Sequence, residues 1–144
     1  MTDAAQGQVL IVEDDEPLAA IVARHLASHG HPNEVVSSAE GAERRLAAGL
    51  RPSLILLDIN LPGDTGWSLL RGRAYAAAGR PRVVVVSATR VSSSRLREFG
   101  VAGYLPKPFA METLLETVRR SAAGQPGDDD ALIELQDPMD VEIQ

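Results

Sequence analysis

Two apolar patterns take turns along this chain. One is a short unbroken run that stops at polar residues: "QVLIVEDD" (8–15), "SLILLD" (53–58) and "RVVVVSA" (82–88). Runs of Val, Ile and Leu this short cannot make a helix of normal length, and they read as strands buried on both faces. "NEVVSSA" (33–39) and "VAGYLP" (101–106) are weaker versions of the same pattern. The other pattern has helical spacing. In "EPLAAIVARHLASHG" (16–30), Leu18, Ile21, Val22 and Leu26 form a stripe. Asp15 can cap that helix, Pro17 suits its first turn and Gly30 ends it. Further helices are expected over 39–50, over 65–79 with an irregularity near Gly72, over 90–100 and over 110–124. The last has Met111, Leu114, Leu115 and Val118 on one side and Arg119 and Arg120 near its C-terminus.

Five strands thus alternate with five helices. Nearly continuous apolar strands separated by helices imply a parallel sheet covered on both faces. Right-handed crossovers leave few topologies, and we expect an α/β fold with an open, doubly wound sheet. A length of 144 residues suits one domain, placed at 8–123. Residues 1–7 are expected to be a flexible N-terminus, and residues 124–144 a disordered tail with no place in the sheet.

Composition refines this picture. Five residues in all are Phe, Trp or Tyr, so the core must be mostly aliphatic. The net charge of −6 is uneven: residues 124–144 carry seven acids and no Lys or Arg, which leaves the rest at a net of +1. Nothing here has the basic face of a nucleic-acid binder. The absence of cysteine rules out disulfides and thiolate metal sites. No signal-peptide pattern opens the sequence, and no apolar run reaches the roughly 20 residues that a membrane helix needs. The expectation is a cytoplasmic protein without membrane insertion. Of the 14 basic residues, 13 are Arg, and the lone lysine, Lys107, stands between Pro106 and Pro108.

In an open parallel sheet, sites lie beyond the carboxyl ends of the strands. The first strand ends in Glu13, Asp14 and Asp15, the third in Asp58, the fourth in Ser87, and the fifth leads into Lys107. Clustered carboxylates raise one another's pKa unless a cation is near. A hard cation bound through oxygen, Mg²⁺ above all, relieves that repulsion. With a fixed ammonium and a hydroxyl donor beside it, a carboxylate is set up to receive a phosphoryl group, whose oxygens the cations neutralise. Lysine suits this better than arginine, because a compact ammonium and a planar fork are not interchangeable.

At these positions the sequence resembles the receiver domain of two-component response regulators. The matching stretches are "VLIVEDDEP", "LILLDINLPGDTG", "VVVVSA" and "GYLPKPF", in the family's order and near its spacing, over about residues 8–123. The resemblance implies a flavodoxin-like (βα)5 fold with strand order 2-1-3-4-5. It implies Asp58 as phosphoacceptor, with Mg²⁺ (or Mn²⁺) held by Asp14, Asp58 and the backbone carbonyl of Asn60, and Glu13 acting in the acidic pocket through water. Ser87 would bind a phosphoryl oxygen, Lys107 would pair with the phosphoryl group, and the Lys107–Pro108 bond would be cis, which the small penalty before proline permits. Tyr104 occupies the family's aromatic switch position and fits packing at a sheet edge equally well. Thr89 either lines the approach and tunes hydrolysis or is an ordinary loop residue. Asp15 is read only as a helix cap.

The implied donor is the phosphohistidine of a sensor histidine kinase or phosphotransfer protein, docking on the first helix beside its Leu18–Leu26 stripe. The implied output is a conformational change read by a protein target. A phosphoacceptor with slow self-dephosphorylation is not a turnover enzyme, and with no output domain recognisable after residue 123 a stand-alone receiver is expected. Competing readings are an interaction module that is never phosphorylated and an aspartyl-phosphate phosphatase. The phosphatase pattern needs an acid two residues after the nucleophile, where this chain has Asn60. A flavodoxin-like cofactor binder would need a phosphate loop after the first strand. His25, His29 and His31 are read as surface residues and Trp67 as packing at a helix start. One departure from the family stands out: Ser87 to Lys107 is 20 positions, about two short, which places the usual dimer face and switch in question.

Overall fold

The computed structural model describes residues 8–123. Its strands are β1 (Val9–Val12), β2 (Asn33–Val36), β3 (Leu54–Asp58), β4 (Arg82–Ser87) and β5 (Gly103–Pro106). They form one parallel sheet in the order β2-β1-β3-β4-β5. The helices are α1 (Glu16–Ser28), α2 (Ala39–Ala47), α3 (Gly66–Arg71), α4 (Arg73–Ala77), α5 (Ser93–Glu98) and α6 (Met111–Ala123). The single helix expected over 65–79 is two short ones, because Gly72 takes an extended conformation (φ −86°, ψ 164°) that breaks the helix between them.

Side chains alternate across the pleat, so each strand feeds two cores. Val9, Ile11, Leu54, Leu56, Val84 and Val86 pack under α1 and α6, against Val22, Leu26, Leu114 and Val118. Leu10, Val12, Ile55, Leu57, Val83 and Val85 pack on the opposite face against Leu46, Leu69, Leu70 and Leu96 from the other helices. Each fully buried aliphatic side chain stabilises the fold by roughly 1.5–3 kcal/mol, which makes a core almost free of aromatics workable. Ile21 departs from its expected place in the α1 stripe. It is 50% exposed, while Ala19, Val22 and Leu26 are buried and Leu18 is partly buried. One residue before Val22 lies about 100° round the helix, which turns Ile21 out to solvent.

Caps fix the helix starts. The backbone N–H groups of Leu18, Gly41 and Arg95 donate to the side chains of Asp15, Ser38 and Ser92 at 3.1, 2.9 and 3.2 Å. The short α5 is tied to α3 by the Trp67 and Phe99 rings, stacked with centroids 4.8 Å apart, with Arg95 over Trp67 and Arg71 over Phe99. No helix among the described residues is long and apolar enough to cross a membrane.

The register of the sheet places the strand ends. Val12 pairs with Leu57, so Glu13 and Asp58 emerge side by side; Ser87 pairs with Pro106, so Lys107 follows directly beyond Ser87. Gly66 lets the chain after β3 fold back closely. A Cβ there would meet the Asp58 carbonyl oxygen and Ile59 Cδ1 at 2.8 Å. Gly66→Ala should therefore destabilise the fold by about 1–3 kcal/mol, and an unchanged denaturation midpoint would contradict this close approach.

On the surface, Arg45 of α2 makes a two-pronged pair with Glu34 of β2, and its hydrogen bond holds the Glu34 carboxyl below the usual range. A depressed folded-state pKa adds stability above the ordinary value of 4.5, which is lost as pH falls through the folded-state value. Glu34→Gln should lower the denaturation midpoint at neutral pH, and the curves of variant and parent should converge in acid. A gap that widened in acid would reverse the assigned sign.

Candidate functional site

Four of the expected residues meet where the strands end. Asp58 closes β3 and is 3% exposed, and Glu13, just past β1, is 6% exposed. Two buried carboxylates side by side are costly unless a cation serves both. Lys107 does so: its Nζ lies 3.0 Å from Glu13 Oε1 and 3.1 Å from Asp58 Oδ2. The Lys107 backbone is anchored beside the site, its N–H donating to the Ser87 carbonyl at 2.8 Å; the Lys107–Pro108 bond is cis.

The remaining oxygens are also engaged. Asp58 Oδ1 accepts the Asn60 backbone N–H at 2.8 Å, and Glu13 Oε2 accepts the Asp15 N–H at 3.1 Å. Burial pushes the Glu13 carboxyl up from its ordinary pKa, and the nearby Asp58 adds to this, while the Asp15 N–H and Lys107 oppose it. Burial works against the charge of Lys107, but Glu13 and Asp58 together outweigh it and raise its pKa. The ammonium therefore stays protonated at neutral pH.

Asp14 is exposed at the rim of the same cluster. One oxygen each from Glu13, Asp14 and Asp58 lies within 4.8 Å of the others, and among the described residues this is the one group of three or more acids, histidines or cysteines so placed. Oxygens that surround a hard cation at ~2.0–2.6 Å must be about this close to each other. The residues present thus fit a divalent cation bound through oxygen. His25 and His29 stack on α1 with ring centroids 4.9 Å apart, and His29 Nδ1 is within 2.9 Å of the His25 carbonyl, but no third ligand joins them.

Ser87 borders the site, and its hydroxyl is occupied. It lies 2.9 Å from Asn60 Oδ1, 2.7 Å from the Thr89 carbonyl and 2.9 Å from Thr89 Oγ1, and it accepts the Thr89 N–H at 3.0 Å. A hydroxyl has one proton, so these acceptors share it. The Asn60 side chain completes the network, accepting the Ala88 N–H at 3.1 Å and donating to Thr89 Oγ1 at 3.2 Å. Thr89 is thereby part of the site's hydrogen bonding. Tyr104 is 3% exposed, with its ring in the core among the residues under α2 to α5. Its buried hydroxyl lies near the Val91 backbone without reaching strict hydrogen-bonding geometry, and burial raises its pKa against the pull of that backbone group and Arg90.

Two features escaped the sequence reading. The expected role of Asn60 is through its carbonyl alone, yet its side-chain amide links the β3 and β4 ends. The signal was available, since an amide two residues past Asp58 can donate and accept at once. The Glu13–Lys107 pair joins residues 94 apart in sequence, and no local pattern announces such a contact.

Known proteins resemble this chain along most of its length. The response regulator receiver domain matches residues 9–119. The protein PetR of Rhodobacter capsulatus is 34% identical over 117 residues, which is 80% of this chain and 48% of PetR. The nitrate/nitrite response regulator protein NarL of Escherichia coli K12 is 33% identical over 128 residues, 87% of this chain and 59% of NarL. The chain therefore spans about half the length of these curated relatives. Among solved structures, a CheY-like response regulator receiver domain protein from Methanospirillum hungatei superposes with a TM-score of 0.75 at 23% identity, over 82% of this chain and 94% of that one, and so shares the fold. Matched along most of its length by the family's pattern, with the sheet order 2-1-3-4-5, the chain belongs to the response regulator receiver domains of two-component systems.

Proposed function

We propose that this receiver accepts a phosphoryl group on Asp58 from the phosphohistidine of a sensor histidine kinase or phosphotransfer protein, and that phosphorylation is read by a protein partner. The observation that carries the reading is the buried Asp58 carboxylate held 3.1 Å from the Lys107 ammonium. A carboxylate oxygen of Asp58 attacks phosphorus as the phosphorus–nitrogen bond of the donor breaks, and the imidazole leaves with the bonding electron pair. Asn60 N–H, donating to Oδ1, keeps the carboxylate oriented. Lys107 neutralises charge on the phosphoryl oxygens, and turning toward them relaxes its hold on Glu13. Asp14, Asp58 and the Asn60 carbonyl, with Glu13 acting through water, would hold Mg²⁺ or Mn²⁺, which would supply charge neutralisation at the phosphoryl group.

Phosphorylation adds about 1.5–2 negative charges to the strand end. Ser87 then has a stronger acceptor than Asn60 or Thr89, and drawing its hydroxyl across pulls the β4–α5 segment with it. Tyr104, next to that segment in the core, would report the change by moving from its buried position. Two pre-existing states would be rebalanced rather than a new one created. Asn60 stands where the phosphatase pattern needs an acid, two residues after the nucleophile, which favours a phosphoacceptor with slow self-dephosphorylation over a turnover phosphatase. A phosphohistidine donor of this kind places the domain in the cytoplasm, with first-helix docking beside the exposed Ile21.

Incubation with acetyl phosphate and Mg²⁺ should add one phosphoryl group, seen by intact-protein mass, in the parent chain and not in Asp58→Ala. Absence of an Mg²⁺-dependent adduct in the parent would instead favour an interaction module that works unphosphorylated. Lys107→Arg should keep the fold while slowing labelling by about tenfold or more, the equivalent of losing one hydrogen bond to a charged group (~1.5–3 kcal/mol). Lys107→Met leaves two buried carboxylates without their cation, so its denaturation midpoint should fall in EDTA and recover with added Mg²⁺. A midpoint insensitive to Mg²⁺ would count against the acids as the cation site.

A further inference from the structure

A pocket of about 520 Å³ opens at the amino ends of β4 and β5, the opposite end of the sheet from Asp58. Leu70, Tyr75 and Phe99 give it apolar walls, and Arg80 and Arg82 line it on either side of Pro81. Its surroundings are short of acids. Residues 65–97 contain seven arginines and no Asp or Glu. The carboxylate that lines the pocket, Glu98, lies 3.7 Å from Arg95 Nε. Among the described residues, neither Arg80 nor Arg82 has a carboxylate within ion-pair distance.

The backbone at Arg80 is strained. Its φ is +52°, and among the described residues no other non-glycine residue has a positive φ. A Cβ is crowded in that region, where glycine is the usual occupant. Pro81 adds to the conflict, because a proline pushes the residue before it toward extended backbone. Two hydrogen bonds impose the conformation. The Arg80 backbone N–H donates to the Tyr75 carbonyl at 3.1 Å, and the Tyr75 hydroxyl donates to the Pro81 carbonyl at 2.7 Å. Strain of this kind persists where the surroundings over-determine it, and it concentrates at ligand sites. An arginine kept where glycine would sit more easily, beside an apolar pocket, points to a use for its guanidinium.

The walls define the ligand. Guanidinium groups bind carboxylates and phosphates through paired N–H donors. One arginine satisfies a carboxylate, whereas two arginines without acids match the double charge of a phosphate monoester. The Phe99 ring and the aliphatic wall suit a flat apolar body, and the volume falls in the range of small-molecule sites.

We propose that this pocket binds a small phosphate ester with a flat apolar body, of mononucleotide size, its phosphate held by Arg80 and Arg82 and its body against Phe99. The site is separate from the phosphoacceptor, so its test does not depend on Asp58.

Titrations of the full chain decide this, with adenosine 5′-monophosphate as the probe. Trp67, the one tryptophan, stacks on Phe99, so its fluorescence reports occupancy. The probe should bind saturably with a Kd below about 1 mM. Adenosine, which lacks the anion, and inorganic phosphate, which lacks the body, should each bind at least tenfold more weakly. Arg82→Gln should weaken binding of the probe by about tenfold or more. Arg80→Gly should weaken it as much while the denaturation midpoint holds or rises, because glycine adopts a positive φ without strain. No saturable binding, equal binding of adenosine or of phosphate, or binding unchanged in both variants each overturns the proposal. A midpoint that fell in Arg80→Gly would also overturn it, by assigning Arg80 to the fold.

Discussion

A single ammonium between two buried carboxylates organises this molecule. Glu13 and Asp58 are forced together by strand register and shut away from water by α1 and the sheet, and like charges in that position are tolerable only with a cation between them. Lys107 fills the need with a point charge that contacts both at once. Its placement depends on β5 lying beside β4 and on Ser87 receiving its backbone N–H. The electrostatic requirement at one edge thus constrains the order and register of the sheet. The same requirement explains why an otherwise arginine-rich chain keeps one lysine: a planar guanidinium cannot occupy the gap between two close carboxylates in the same way.

The second organising feature is neutral. Ser87, Asn60 and Thr89 form a closed hydrogen-bond network beside the charged cluster, linking the ends of β3 and β4. It costs no charge separation and can be exchanged for contacts to an incoming anion. Tyr104 lies in the neighbouring β5 with its ring in the core and its buried hydroxyl near the Val91 backbone. The short α5, clamped to α3 through Trp67 and Phe99, lies between β4 and β5, whose ends still bring Ser87 and Lys107 together.

Much of the fold was legible because its signals are local. The runs at 8–15, 53–58 and 82–88 could be nothing but buried strands, and the polar residues that end them pointed to one sheet edge. The lone Lys107 and the asymmetry of charge were equally plain. Less legible were features set by the angle at which an element lies. Ile21 belongs to an apolar stripe in sequence yet faces solvent, because the sheet covers a narrower arc of α1 than the stripe spans. The helix expected over 65–79 is broken at Gly72 by a backbone conformation that sequence only hinted at.

By itself, the sequence determined the number and kind of elements, the parallel class of the sheet and the acids, hydroxyl and lysine available at its edge. Periodicity and residue chemistry are written residue by residue, and burial on both faces leaves an apolar strand little choice. The tertiary structure alone decided which of those groups touch. Glu13 and Lys107 stand 94 positions apart, and Ser87 and Asn60 are 27 apart. Their contacts follow from strand register, a property that packing of the whole sheet fixes to a single residue, since a slip of one would turn every core side chain to the wrong face.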